Sequence, residues 1–409
     1  MAGLTPDIEP AAVGLDKDRL GRLDAFLDGL QTVGRIPGWQ LLVGRHGQLA
    51  YARQDGWADI EAGRPVTAGT LFRIYSMTKP VTAVAAMILY ERGEIELSDP
   101  LERFIPSFGR VRVFTGGSDV SPVVEPVTRP ITLWHLLTHT AGLTYGFHRT
   151  HPVDTLYRQA GHDIEAPVGT LADSCETWAS LPLLFQPGTE WNYSVATDVL
   201  GRVVEVVSGQ PLGDFCAAEV FAPLGMSDTR FIVTGADAPR LAQVYLAGPD
   251  GVLRPGAGQR ASVLQPDRAH YGGGGLVSTG PDYYRFASML LGRGEYGGTR
   301  LLGPRTVDLM GRNQLPGDAD LQTFGRPMIS ASPLAGVGQA LGMTVVLDPV
   351  LAGYATSTGE LSWGGAASTV FWADPALGLS VVMMTQVLPA TALPIRNKLH
   401  QLVHQAILD

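Results

Sequence analysis

Lysine is scarce in this chain: only Lys17, Lys79 and Lys398 occur among 30 basic residues. A sequence that otherwise chooses arginine has kept at 79 a side chain that, unlike arginine, can give up its proton. Cysteine is scarcer still. Cys175 and Cys216 are too few for a disulfide framework and have no C-x-x-C spacing for zinc, so two free thiols are expected. No apolar run reaches the ~18 residues that would span a bilayer. The first thirty residues carry acids and lack both a basic and an apolar leader segment, so a cytoplasmic protein is expected. Positive charge is lacking too: a net charge of −9 argues against nucleic acid or an anionic membrane as partner and leaves small neutral or cationic molecules. No G-x-S-x-G occurs, which excludes the nucleophile elbow of α/β-hydrolases. His135 and His139 share i, i+4 spacing, but H-E-x-x-H is missing and no acidic third ligand is near. No metal is expected there, and His139 is expected to help cap a helix ending at Gly142. Gly272–Gly275 lacks a following Gly-Lys-Ser/Thr and so is no phosphate loop. Its expected use is backbone clearance near a cleft, with Thr279, Pro281 and Asp282 starting a helix. No cofactor is implied.

What is present suffices for two cores: 409 residues, 45% hydrophobic and 17% charged. Leu15, Leu20, Leu23, Phe26, Leu27 and Leu30 recur at helical spacing, and 38–56 reads as two strands joined at His46-Gly47. At the far end, 343–347, 368–373 and 379–385 read as strands and about 393–408 as a helix. Between them, helical patterns alternate with long Pro/Gly-rich loops, notably 106–130 and 145–170. The expected architecture is α/β (α+β): a sheet made from both chain ends, flanked by helices (1–79 and 289–409), with a mainly helical insertion (80–288). The site would lie in the cleft between them.

Three residues and one short segment carry the chemistry. Ser76-Met77-Thr78-Lys79 opens the apolar run 81–89, and Pro80 fits only the first turn of the helix which that run predicts. Ser76 then stands at a helix N-terminus with Lys79 on the same face, a hydroxyl one turn from an amine. A proton carrier is offered by Tyr193, in the segment Gln186–Thr197 after a Pro-Gly turn and before the helical run 198–208. Ser362-Trp363-Gly364-Gly365-Ala366 precedes the strand 368–373, where paired glycines let a backbone pass close to a ligand and an edge strand can offer N–H groups.

In this order and spacing these segments, together with 136–143 (LLTHTAGL), 186–188, 223–226 and 272–291, resemble the serine β-lactamase and penicillin-binding protein superfamily, and within it the class C-like carboxylesterases called family VIII. The resemblance covers nearly the whole chain. It implies Ser76 as acylated nucleophile, Lys79 as its hydrogen-bonded activator and Tyr193 as base and then acid, with Lys79 also bonded to Tyr193. It implies an oxyanion hole from the main-chain N–H groups of Ser76 and Ala366. Two positions depart from the lactamase pattern: Val195 stands where Y-x-N has Asn, and Trp363 where the third motif has Lys or His. An amide and a cation that would grip anionic amides are thereby lost. Val195, Trp363, Gly364 and Gly365 then suit neutral, rather apolar esters, as in the esterase branch. The expected activity is hydrolysis of short-chain carboxylic esters without metal or cofactor. A weak β-lactamase or D-amino-acid peptidase, or an acyltransferase, would use the same residues.

Overall fold

The computed structural model describes residues 4–163, 169–256, 263–326 and 334–409. Residues 164–168 of the segment expected as a loop at 145–170 therefore lie outside the described residues.

Both chain ends build one sheet. Helix α1 (Lys17–Thr32) is started by Asp16, whose carboxylate accepts from the Arg19 N–H, and leads into strands β1 (Gly38–Arg45) and β2 (Gln48–Asp59), joined at His46-Gly47. A short β3 (Arg64–Pro65) follows. After the central part of the chain come β4 (Val337–Gln339), β5 (Thr344–Val346), β6 (Leu361–Gly364), β7 (Val370–Asp374) and β8 (Leu379–Met384). The order across the sheet is β4-β5-β6-β7-β8-β1-β2-β3, antiparallel throughout. Inside the sheet β1 pairs with β8, Gln40 opposite Met384, which closes the chain on itself.

Alternation along these strands divides the core into two layers. Trp39, Leu41 and Val43 of β1, Val370 and Trp372 of β7, and Val381 and Met383 of β8 face α1 and the C-terminal helix Arg396–His404. Leu42, Phe371, Val382 and Met384 face the opposite layer, where the helices Thr78–Glu91 (α2), Ala196–Ser208 (α3) and Gly280–Leu291 (α4) lie. The C-terminal helix is α5. Strands covered on both sides lose the clean polar alternation of a half-solvated sheet, and 379–384 is accordingly apolar almost throughout. Helix α4 starts as expected: Thr279 accepts from the Asp282 N–H and Pro281 sits in the first turn. It runs unbroken through position 288.

Three local expectations need correction. Segment 106–130 is not a bare loop: it holds a 3₁₀ turn, Pro106–Arg110, and a hairpin of Arg112–Gly117 with Pro122–Pro126. Segment 145–170 contains the helix Pro152–Gln159, begun by reciprocal bonds between His151 and Asp154. And the helix after Thr132 ends at Leu137, so His139 caps nothing. Both cysteines are free and buried, and among the described residues no helix is long and apolar enough to cross a membrane.

Candidate active site

Helix α2 is the platform. Its residues 78–89 are all buried, so the helix is held on every side. Immediately before it, Tyr75–Met77 form a 3₁₀ turn in which Tyr75 takes φ +43, a left-handed conformation costly for a residue with a side chain. That kink places the half-buried Ser76 at the N-terminal end of the helix. Pro80, third in the helix, costs no hydrogen bond there.

Lys79 is 1% exposed, and each of its three ammonium donors has an acceptor. They go to the Gly273 carbonyl at 2.6 Å, the Tyr145 hydroxyl at 3.0 Å and Ser76 Oγ at 3.4 Å. Ser76 Oγ in turn lies 2.5 Å from the Tyr193 hydroxyl. The expected bond between Lys79 and the Tyr193 hydroxyl is not formed; the ammonium instead lies over the Tyr193 ring, 4.5 Å from its centroid. Serine is therefore the link between amine and phenol.

Tyr193 is held by its loop. Its carbonyl accepts from His148 Nε2 at 2.6 Å, the neighbouring Asn192 side chain donates to the Leu143 carbonyl at 3.0 Å, and Ser194 Oγ bonds His139 Nδ1 at 3.1 Å. His139 is buried, and burial followed by the Lys79 charge holds its pKa well below the usual imidazole range, so the ring is neutral. It stacks on Trp363, ring planes 10° apart and centroids 6.4 Å apart. Trp363 also meets the Tyr193 ring at 6.0 Å.

Behind Lys79 lies a group the sequence reading missed. Asp198, in the first turn of α3, is buried; it accepts from the Gly273 N–H at 2.7 Å and from the Tyr145 hydroxyl at 3.5 Å. Burial raises its pKa while Lys79 opposes the shift. Asp198 and Lys79 thus share the same two neighbours, a carboxylate and an ammonium coupled through a phenol and a peptide group. Gly273 is the meeting point: a Cβ there would lie 2.4 Å from Asp198 Oδ2. Burial, then Asp198, pushes the Tyr145 phenol well above its ordinary pKa, so Tyr145 stays protonated. Of the two tyrosines beside the serine and lysine, Tyr145 is thereby fixed as a hydrogen-bonding phenol.

The fourth segment is a strand, β6, and it lies inside the sheet rather than at its edge. Its pairing with β5 ends at Ser362, while its pairing with β7 continues through Trp363 and Gly364. Beyond Ser362 one side of β6 therefore has no strand partner among the described residues. The strand end touches the serine turn: a Cβ on Gly365 would lie 2.4 Å from the Ile74 carbonyl oxygen. Neither the Ser76 nor the Ala366 main-chain N–H is spent on another main-chain carbonyl among the described residues. Arg396, at the start of α5, donates to the Gly365 carbonyl at 3.3 Å. Desolvation pushes its guanidinium down to about 10, so it remains a cation at neutral pH. Val195 is 3% exposed and belongs to the packed core at the start of α3. Glycine at 365 is thus a contact requirement, and Gly365→Ala should force the Ile74–Ser76 turn from the strand. We expect at least about a tenfold loss of kcat/KM and a destabilisation of about 1–3 kcal/mol, read by kinetics and thermal unfolding. Unchanged values in both would show that the two elements need not touch.

The family described as Beta-lactamase matches residues 23–405. Esterase EstB of Burkholderia gladioli is 35% identical over 398 residues, 92% of this chain and 93% of its own. Among solved structures, EstCE1, a hydrolase with promiscuous acyltransferase activity, superposes with a TM-score of 0.80 at 29% identity, covering 96% of this chain and 99% of its own. Unliganded simvastatin synthase (LovD) from Aspergillus terreus superposes with a TM-score of 0.79 at 25% identity, over 95% of this chain and 98% of its own.

Proposed function

Because this chain belongs to the β-lactamase family, we propose that it is a serine carboxylesterase that hydrolyses short-chain, neutral carboxylic esters through an acyl-enzyme on Ser76. The observation that carries this reading is Ser76 Oγ placed 2.5 Å from the Tyr193 hydroxyl and 3.4 Å from the Lys79 ammonium. The similarity to Esterase EstB supports ester as the bond cleaved.

Tyr193, as phenolate, accepts the Ser76 proton while Oγ bonds the ester carbonyl carbon. The Lys79 ammonium lies over the Tyr193 ring, 4.5 Å from its centroid. The carbonyl oxygen, now carrying the negative charge, is received by the N–H groups of Ser76 and Ala366. The tetrahedral centre collapses, the C–O bond to the alcohol breaks, and Tyr193 returns the proton to the departing oxygen. Water then repeats the sequence on the acyl-enzyme and releases the acid. Lys79 acts as a fixed positive hub, since all three of its donors are engaged.

Aromatic walls set the substrate class. Trp363, Tyr193, Tyr145, Phe147 and His148 meet ring to ring, with Tyr145 stacked on Phe147 at 4.7 Å and Tyr193 tilted on Tyr145 at 5.2 Å. Such surfaces accept apolar acyl and alcohol groups and offer little to a carboxylate. The test is turnover of p-nitrophenyl butyrate beside nitrocefin, with intact-protein mass measured during ester turnover. We expect ester hydrolysis, a butyryl adduct of the protein and little or no nitrocefin cleavage. Nitrocefin turnover at the ester rate would instead favour a lactamase. Trp363→Lys should cost at least about fivefold in kcat/KM on the butyrate and improve turnover of an ester bearing a carboxylate; no change on either substrate would remove Trp363 from the wall.

A second reading is acyl transfer to an alcohol, favoured by the likeness to EstCE1. Product partition with added alcohol separates the two, since a transferase forms the new ester faster than the free acid.

A further inference from the structure

On the face of the sheet away from α2, two acids and two histidines are buried together. Leu361 pairs with Ala373, so the preceding Glu360 and the following Asp374 are direct neighbours across β6 and β7. Both are 0% exposed. Like charges in that position repel and are costly to bury. Helix α5 places His400 and His404 one turn apart over them, rings 5.9 Å apart and nearly parallel.

The hydrogen bonds engage both nitrogens of His400, Nδ1 with the Arg396 carbonyl at 3.0 Å, but only part of Glu360, Asp374 and His404. Glu360 Oε1 bonds His400 Nε2 at 2.9 Å. Asp374 Oδ1 accepts from the N–H groups of Ala376 and Leu377 at 2.9 and 3.2 Å. His404 Nδ1 donates to the His400 carbonyl at 2.8 Å, which fixes the tautomer and leaves the lone pair on Nε2. Glu360 Oε2, Asp374 Oδ2 and His404 Nε2 are then buried atoms with no hydrogen-bond partner. These three atoms lie within 4.8 Å of one another. Burial and the Glu360 charge both raise the Asp374 pKa, opposed by the Ser357 hydroxyl and the two N–H groups. Desolvation lowers that of His404.

Three inward-facing lone pairs around one point, two of them on carboxylates, are a ligand set. We propose that Glu360, Asp374 and His404 bind a divalent transition-metal ion, Zn²⁺ foremost, outside the catalytic centre. One imidazole and two carboxylates suit Zn²⁺ better than Mg²⁺, which prefers an all-oxygen shell. The outer contacts are of the kind that orient metal ligands: the His400 carbonyl on the far nitrogen of His404, and His400 on the second oxygen of Glu360. The ion would neutralise the carboxylate pair and fasten α5 to β6 and β7.

The experiment uses the full-length protein without a histidine tag, stripped by chelator and titrated calorimetrically with ZnCl₂, and separately with MgCl₂, at pH 7.5. Expected is one equivalent of Zn²⁺ with a Kd of micromolar or tighter and no Mg²⁺ binding. With free Zn²⁺ about a hundredfold above Kd, Tm should rise by about 3 °C. His404→Gln and Asp374→Asn should each weaken Zn²⁺ binding at least tenfold. The titration of the unsubstituted protein stands even where a variant fails to fold. Absence of a stoichiometric Zn²⁺ site in it would overturn the proposal and assign the three atoms to a shared proton. Binding that survives His404→Gln unchanged would overturn it equally, placing the ion elsewhere on the surface.

Discussion

Ser76→Ala and Lys79→Ala should each lower kcat on a short-chain p-nitrophenyl ester by at least about 10³-fold, a loss of about 4 kcal/mol in transition-state stabilisation. The double variant should be hardly worse than either single one, because nucleophile and ammonium act as a unit. The two losses have different origins. Ser76→Ala removes the atom proposed to be acylated, so the mass adduct should disappear while the fold is kept, Ser76 being only half-buried. Lys79→Ala also leaves the Tyr145 hydroxyl and the Gly273 carbonyl without their donor in a buried place. It should therefore cost about 1–3 kcal/mol of stability as well, seen as a lower Tm. Lys79→Arg should rescue neither, since a planar fork cannot reach three acceptors arranged around a point. Near-normal turnover in Lys79→Ala would end the mechanism.

The second large effect separates the two tyrosines. Tyr193→Phe should cost at least about 10³-fold in kcat with little change in KM, because the hydroxyl 2.5 Å from Ser76 Oγ is the proposed proton carrier. Tyr145→Phe should cost about tenfold. Its phenol is kept protonated by burial and by Asp198, and its contribution is to hold one corner of the Lys79 ammonium. A residual proton-transfer role for Tyr145 would show as the reverse order of losses. Tyr145→Phe should also keep the shape of the parent pH profile, because its phenol stays protonated.

Much of this site was legible because its first part is local. Ser76 and Lys79 need only one helical turn to meet, and the apolar run after them predicts that turn. The hairpin at His46-Gly47, the strands 344–346, 370–374 and 379–384 and the start of α4 likewise rest on neighbours in sequence. What escaped depends on distance along the chain. Asp198 and Tyr145 bear on Lys79 from 119 and 66 residues away, and only folding brings them to Gly273. The Lys79–Tyr193 bond was implied by the resemblance; in the structure the ammonium is taken up instead by Gly273, Tyr145 and Ser76. Strand β6 was missed as a strand because four residues ending in glycine show no alternation to count. The helix Pro152–Gln159 carried its signals, Pro at the first position and Asp154 in the first turn, but its starting residue is His151, an uncommon cap.

The unpaired stretch of β6 beyond Ser362 has one more consequence. A half-buried strand edge with no strand partner beside Ser76 is a template, and a ligand whose own backbone runs alongside it can complete the ladder. Inhibitor design for this site would then favour extended, amide-bearing electrophiles over compact ones. Their gain would come from peptide-to-peptide hydrogen bonds that a simple alkyl ester never makes, so potency and substrate turnover should follow different structural rules.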